Sequence, residues 1–270
     1  MLIKSVLRPV ENANLVRLGP KGDGGYVVPE DQIKDCELLI SLGLSDNWLF
    51  DKEFLARNPH ARVVGVDHTV GPFWFLRRTV KYAWKVVLYT MLVNGRKRSK
   101  YIFKLKNAAA YFSFFNGPHR HIKKRVSNRE SRIDISLGRI LESYQARNSN
   151  YDVFLKMDIE GAEYEVTRDI ERYHGRIGCM VAEFHDLDER TDDFNGCMQT
   201  LLHHFSVVHI HGNNGARYDR VNNFPSVVEI TFVNKSLYVE SPSVSTADYP
   251  RDGLDFPNNP GVPDYKLSFD

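Results

Sequence analysis

Phe154-Leu155-Lys156-Met157-Asp158-Ile159-Glu160-Gly161-Ala162-Glu163-Tyr164 reads as a buried strand that ends on acidic residues, turns at a glycine and enters a helix. Val153, Phe154, Leu155, Met157 and Ile159 form a near-continuous apolar run, as in a parallel strand covered on both faces. Gly161 permits the tight turn, and Glu163 and Glu165 favour the positive end of the helix behind it. Ligands of open α/β sheets bind outside the carboxyl ends of the strands, so Asp158 and Glu160 fall where chemistry is usually placed. Lys156 shares a strand face with Asp158, and a charge inside an apolar strand needs a partner. Asp158 and Lys156 are therefore candidate catalytic groups.

Working outward, residues 37–47 read as strand, glycine turn and helix start, with a helix over 48–57. This is where a nucleotide-type cofactor meets a helix amino end, which makes Gly43 and Ser45 cofactor candidates. The full dinucleotide glycine fingerprint is absent, which suits a cofactor without phosphates. Ser45 or Asp46 is also a candidate helix cap. Residues 62–68 form a second buried strand ending in Asp67, 24 residues after Gly43. An acid at this strand end accepts hydrogen bonds from ribose hydroxyls, and Asp67, with His68 beside it, joins the cofactor set.

The predicted order continues with a helical stretch over 71–100, a third strand over 101–110, and a basic loop over 111–132. In that loop His119 and His121 read either as metal or phosphate ligands or as part of a solvated basic surface. A helix over 135–144 feeds the central strand. Strands over 177–186, 205–214 and 227–233 and a helix over 192–202 complete the pattern.

The fourth, fifth and sixth strands all end in potential ligands: Asp158 with Glu160, Glu183 with His185, and His209 with His211. In parallel order these groups converge at one sheet edge. Carboxylates with imidazole suit Mn, Fe or Zn, and a mostly carboxylate set suits Mg. The expected metal set is Asp158, Glu183 and His211, with His185 as a candidate base. The other reading of the same residues is a hydrogen-bonded network that positions loops.

The stretch LKMDIEGAEYEV resembles the strand-four signature of the FkbM-type S-adenosylmethionine-dependent methyltransferases. LISLGLSDN and VVGVDH are further anchors, ISLGRIL resembles the helix start before the central strand, and the resemblance spans roughly residues 15–235. It implies an α/β class I methyltransferase (Rossmann-like) sheet of seven strands, with helices on both faces and the last strand antiparallel. It also implies S-adenosyl-L-methionine as cofactor, a divalent metal (Mg or Mn) as an assistant, and methyl transfer to a hydroxyl, first of all on a sugar or glycan. By resemblance, Asp23 and Tyr26 of the GDGGYV element lie near the cofactor, and Asn107 and Ala108 lie beside the adenine. The chain departs from the family in its glycine-sparse first loop and its basic segment. No NPPY-like tetrad follows the fourth strand, which argues against methylation of nucleic-acid amines. Two rival readings are a metal-dependent hydrolase or oxygenase using Glu183, His209 and His211, and a cofactor-binding module without catalysis.

With 270 residues, 42% hydrophobic, the chain fits one large domain with additions. These are an N-terminal loop or hairpin over 1–36, a methyltransferase-type domain over 37–238, and an irregular tail over 239–270, read as a surface wrap or lid. Cys36, Cys179 and Cys197 make no paired framework, and neither a signal peptide nor an 18-residue apolar run is evident. A cytoplasmic location is expected. The net charge of +2 hides an asymmetry: Gly71 to Arg132 holds 16 Lys/Arg and one acid, Glu130, while the other 208 residues hold 20 Lys/Arg against 33 Asp/Glu. The aromatic-rich stretch over 71–100 reads as a helix packed on the sheet, as a peripheral contact with an anionic membrane, or as a nucleic-acid-binding surface.

Overall fold

Leu38, Ile40 and Leu42 point to one face of their strand and Leu39 to the other, and all four are buried. Such a strand is stable only between two layers, and the rest of the chain supplies them. The computed structural model describes residues 1–144 and 150–270. In chain order it comprises β1 (Leu15–Leu18), β2 (Tyr26–Pro29), α1 (Glu30–Asp35), β3 (Leu38–Leu42), α2 (Leu49–Arg57), β4 (Arg62–Val66), α3 (Pro72–Met91) and α4 (Gly95–Phe114). Then follow β5 (Arg120–Ile122), β6 (Arg125–Val126), β7 (Asp134–Ile135), α5 (Leu137–Ser143), β8 (Val153–Met157) and α6 (Thr167–Arg172). The last elements are β9 (Ile177–Phe184), α7 (Thr191–His204), β10 (Phe205–Gly212), β11 (Tyr218–Asp219), β12 (Phe224–Pro225) and β13 (Val228–Asn234).

Seven strands form one sheet in the order β10-β13-β9-β8-β3-β4-β5. β3, β4, β5, β8 and β9 run parallel, and β13 lies antiparallel between β9 and β10. This strand order with a single reversed strand is the class I methyltransferase fold. The chain leaves β3 toward β4 and β5 and resumes at β8 on the other side, so the carboxyl ends of β3 and β8 flank the switch point where ligands bind.

One face of the sheet packs Leu38, Ile40, Leu155 and Met180 against Ile140, Ile170, Phe194 and Leu201 of α5, α6 and α7. The other packs Leu39, Phe154 and Val181 against Ile33, Phe50 and Phe54 of α1 and α2, and against Tyr26 and Val28 of the β1–β2 hairpin. Phe154 sits edge-on to Phe54 at 5.0 Å between ring centroids. Its full burial contributes about 1.5–3 kcal/mol.

The third strand is not where the sequence reading puts it. Residues 101–110 lie within α4, and the third strand is β5, only three residues long. Tyr101, Leu105, Ala108 and Tyr111 recur at helical spacing and pack with Tyr82 of α3. Asn94 accepts from the Lys97 amide at 3.1 Å and starts the helix. β5 is a short edge strand whose outer residue Arg120 is exposed, so it carries no apolar run to betray it. The tail is irregular but anchored: its Asp255 and Asp264 reach back to His209 and His211 of β10, each at 2.9 Å.

Candidate functional site

Two strand ends meet at the switch point with no room for a side chain between them. Gly43 follows β3 at φ +79°, and a Cβ there would lie 1.6 Å from the Asp158 carbonyl oxygen beyond β8. Gly43 donates its amide to Val66, and Asp158 donates its amide to Leu42, which binds β3, β4 and β8 together at their carboxyl ends. Beside this junction a cavity of about 810 Å³ opens. Gly43, Asp67, His68, Ser127, Asn128 and Asp158 are among its lining residues. A volume of this size accommodates a nucleoside-sized ligand.

Asp67 is fixed before any ligand arrives. Its Oδ2 accepts from the Ser45 amide at 2.7 Å, and its Oδ1 accepts from the amide and hydroxyl of Thr69, both at 2.6 Å. Burial works to raise this carboxyl, but the hydrogen bonds from Thr69, Ser45 and Val70 outweigh it and hold Asp67 below the ordinary carboxylate range. The result is a preorganised anion in the cavity wall. Ser45 sits at φ +49° and lends Asp67 its amide, whereas its side chain caps no helix.

On the far side of Asp158 the site turns acidic. Tyr26 donates its hydroxyl to Asp158 Oδ2 at 3.1 Å. Burial first, then the charges of Asp158, Glu183 and Glu229, keep the Tyr26 phenol neutral and a donor. Asp158, Glu183 and His185 each present a ligand atom, and these atoms lie within 4.8 Å of one another. Glu183 is pushed up to about 8 by burial and by the charges of Asp158 and Glu229. Burial opposes protonation of His185, yet its hydrogen bond to Glu163 at 3.1 Å and the charges of Glu163, Glu183 and Asp158 push it up to about 9. Asp23, from the loop between β1 and β2, is also raised, by burial and then by Asp158 and Glu229. Asn213 donates to Glu183 at 2.7 Å and Asn258 to Glu229 at 2.8 Å, so neighbouring segments brace the cluster.

Gly43, Ser45, Asp67, His68 and Asp158 thus line one cavity, with Tyr26 and Asp23 beside Asp158. Asn107 and Ala108 do not join them. They lie on α4 and line a second cavity of about 390 Å³ with Trp48, Phe75, Tyr82 and Lys104. Ser127 and Asn128, just beyond β6, line the first cavity.

Lys156 Nζ lies over the Tyr26 ring at 5.3 Å, donates to the Gly43 carbonyl at 3.3 Å, and its charge counters the burial of Asp51. It braces the junction from beneath. His211 is likewise not a ligand of the Asp158 cluster. Its imidazole bridges Glu229 and Asp264, and those hydrogen bonds override burial and push it up to about 10. The cause is topological: β13 stands between β9 and β10, so Glu229, not His211, faces Glu183 across the ladder. His185 takes the third position instead.

His209 is engaged by Asp255, so the Glu183–His209–His211 set of the hydrolase or oxygenase reading is not assembled. His119 and His121 are structural: one accepts from the Val63 amide, and the other bridges Tyr111 and the Asp67 carbonyl. From the sequence Glu163 was read only as a helix-start acid, and Glu229 was not singled out. The signal for Glu229 was an acid in the middle of an apolar strand, Val227-Val228-Glu229-Ile230-Thr231-Phe232.

No protein-family model and no curated protein matches the chain. Solved structures similar to it include precorrin-6y C5,15-methyltransferase from Geobacter metallireducens GS-15, 13% identical over 75% of this chain and 84% of that one, with a TM-score of 0.38. A mutant of the 16S rRNA (adenine(1408)-N(1))-methyltransferase from Catenulisporales acidiphilia is 11% identical over 81% of this chain and 97% of that one, with a TM-score of 0.34. The same mutant with its cosubstrate SAM is 12% identical over 82% and 98%, with a TM-score of 0.30. Likenesses of this size carry no weight for function. The strand order does the work for the fold.

Proposed function

We propose that this chain is an S-adenosylmethionine-dependent methyltransferase that methylates a hydroxyl oxygen, first of all on a sugar or glycan. The observation that carries the reading is the position of Asp158. It lines the same cavity as Asp67, and its carboxylate also belongs to the cluster with Glu183 and His185. What supports the cofactor is the chemistry of the lining: Asp67 is a fixed carboxylate in the cavity, at the strand end where ribose hydroxyls are bound in nucleotide-binding sheets.

S-adenosylmethionine would supply a methyl carbon already activated on a sulfonium, so the residues need only align an acceptor and take one proton. In this reading Asp158 would accept the proton that the hydroxyl loses on methylation. Tyr26 orients that carboxylate by donating to its Oδ2. Glu183, Glu229 and Asp23 make the surroundings of Asp158 polar and acidic, which supports a polar acceptor over an apolar one.

Asp158, Glu183 and His185 also fit a divalent cation, because the crowding that raises Glu183 is what a bound cation relieves. Such an ion would lower the pKa of the acceptor hydroxyl. The test is transfer of labelled methyl from S-adenosylmethionine to a panel of monosaccharides and oligosaccharides, with Mg, with Mn and with chelator. Label appearing in an ether linkage, lost in Asp158→Asn, supports the reading. Label appearing only on nitrogen or carbon acceptors overturns the hydroxyl assignment, and full activity in chelator removes the metal.

A further inference from the structure

α3 carries an apolar stripe that covers nothing in the fold. Phe73, Leu76, Val80, Trp84, Val87 and Met91 are all exposed, Phe73 by 70%, Trp84 by 66% and Met91 by 74%. At 3.6 residues per turn these six fall within an arc of about 80°, and they run for roughly 27 Å along the helix. The opposite face is spent on the fold, since Phe75 and Tyr82 are buried against Trp48, Ala108 and Tyr111. α3 is therefore not the ordinary packed helix with a solvated basic face that its sequence also allowed. Its outer face is greasy.

The charges around the stripe say what covers it. Arg77 and Lys81 are exposed along one flank, and α4 begins with Arg96, Lys97, Arg98 and Lys100, all exposed. From His68 to Arg129 there are 62 residues without a single Asp or Glu. A surface that is apolar along one ridge, cationic beside it and free of acids complements an interface with acyl chains below and anionic headgroups above. Among the described residues no helix is long and apolar enough to cross a membrane, so the contact is peripheral.

We propose that the α3–α4 hairpin is a membrane-docking device that seats the Phe73–Met91 ridge in the interfacial layer of an anionic bilayer. The two helices pack on each other through the Tyr89–Tyr101 stack at 5.4 Å and the Lys85–Tyr101 hydrogen bond at 2.9 Å. They act as one stiff paddle. The residues that dock are none of those at the Asp67–Asp158 site, so docking stands or falls independently of methyl transfer.

The test is flotation of the full chain with vesicles of phosphatidylcholine alone and of phosphatidylcholine mixed with phosphatidylglycerol, at low and high salt. Binding is expected to the anionic vesicles only and to weaken with salt. The variant Phe73→Ser, Trp84→Ser, Met91→Ser should bind at least tenfold more weakly while its unfolding temperature stays near that of the native chain. Because that variant removes three large side chains, a second measurement uses the native side chains: brominated lipid should quench tryptophan emission, and Trp84→Phe should abolish the quenching. Failure of the native chain to float with anionic vesicles overturns the proposal. So does a native chain that is dimeric in solution, does not float, and becomes monomeric on substitution of the ridge, which would assign the ridge to a second copy.

Discussion

Asp158 carries two duties that substitution can separate. Its backbone sets the strand junction with Gly43, and its carboxylate faces the cavity and the acidic cluster. Asp158→Asn keeps the size and one acceptor oxygen but loses the charge. Turnover should fall by at least a hundredfold, as expected for loss of a general base, while affinity for S-adenosylhomocysteine changes by less than about threefold. Steady-state rates beside a binding titration read the two separately, and a full-rate variant would move the proton acceptor elsewhere. Gly43→Ala tests the junction itself. The new methyl has to displace the Asp158 carbonyl, at a backbone φ of +79° that favours glycine. A loss of about 2–3 kcal/mol, roughly 4–10 °C in unfolding temperature, is expected in calorimetry, with cofactor affinity falling alongside. A stable Gly43→Ala chain with native affinity would mean that the strand ends tolerate separation.

At the scale of elements, the irregular tail behaves as a strap pinned to β10. His211 is buried between Glu229 and Asp264, and its folded pKa is raised to about 10 from an ordinary value near 6.5. The stabilisation from that shift is complete below about pH 6.5 and is lost as pH rises toward 10. The tail should therefore loosen on the alkaline side, seen as faster proteolysis after residue 240 at pH 9.5 than at pH 6.5. Asp264→Asn should destabilise by about 3 kcal/mol at pH 6.5, because it strips one partner from a buried charge. It should also flatten the pH dependence. Equal proteolysis at both pH values would show that the His211 charge does not hold the strap.

The same strand explains a failure of the sequence reading. His211 alternates correctly with His209, yet nothing in the local pattern says that the seventh strand inserts between the fifth and the sixth. Pairing order is a long-range property. The α4 error is of a different kind: the spacing of Tyr101, Leu105, Ala108 and Tyr111 was helical, but the short run Tyr101-Ile102-Phe103 imitated a strand.

For the whole molecule, what was legible followed burial. β3, β4, β8, β9 and β10 are covered on both faces, so each appears as an apolar run, and the acids at their ends stand out against it. Asp67, Asp158 and Glu183 could be read for that reason. Asn258 could not, because it belongs to the tail and meets Glu229 only once the chain has folded back over the strand ends. The uneven charge was visible at once, while its consequence, an uncovered ridge on a basic paddle, needed the buried face of α3 to be known. The central claim is that the cavity between Asp67 and Asp158 takes the nucleoside of S-adenosylmethionine. The measurement that tests it most directly is a calorimetric titration of S-adenosylhomocysteine into the native chain and into Asp67→Ala. A single saturable site, weakened roughly ten- to a hundredfold by the substitution with the unfolding temperature little changed, is the predicted result. No heat of binding in the native chain, or equal affinity in the two proteins, would contradict it.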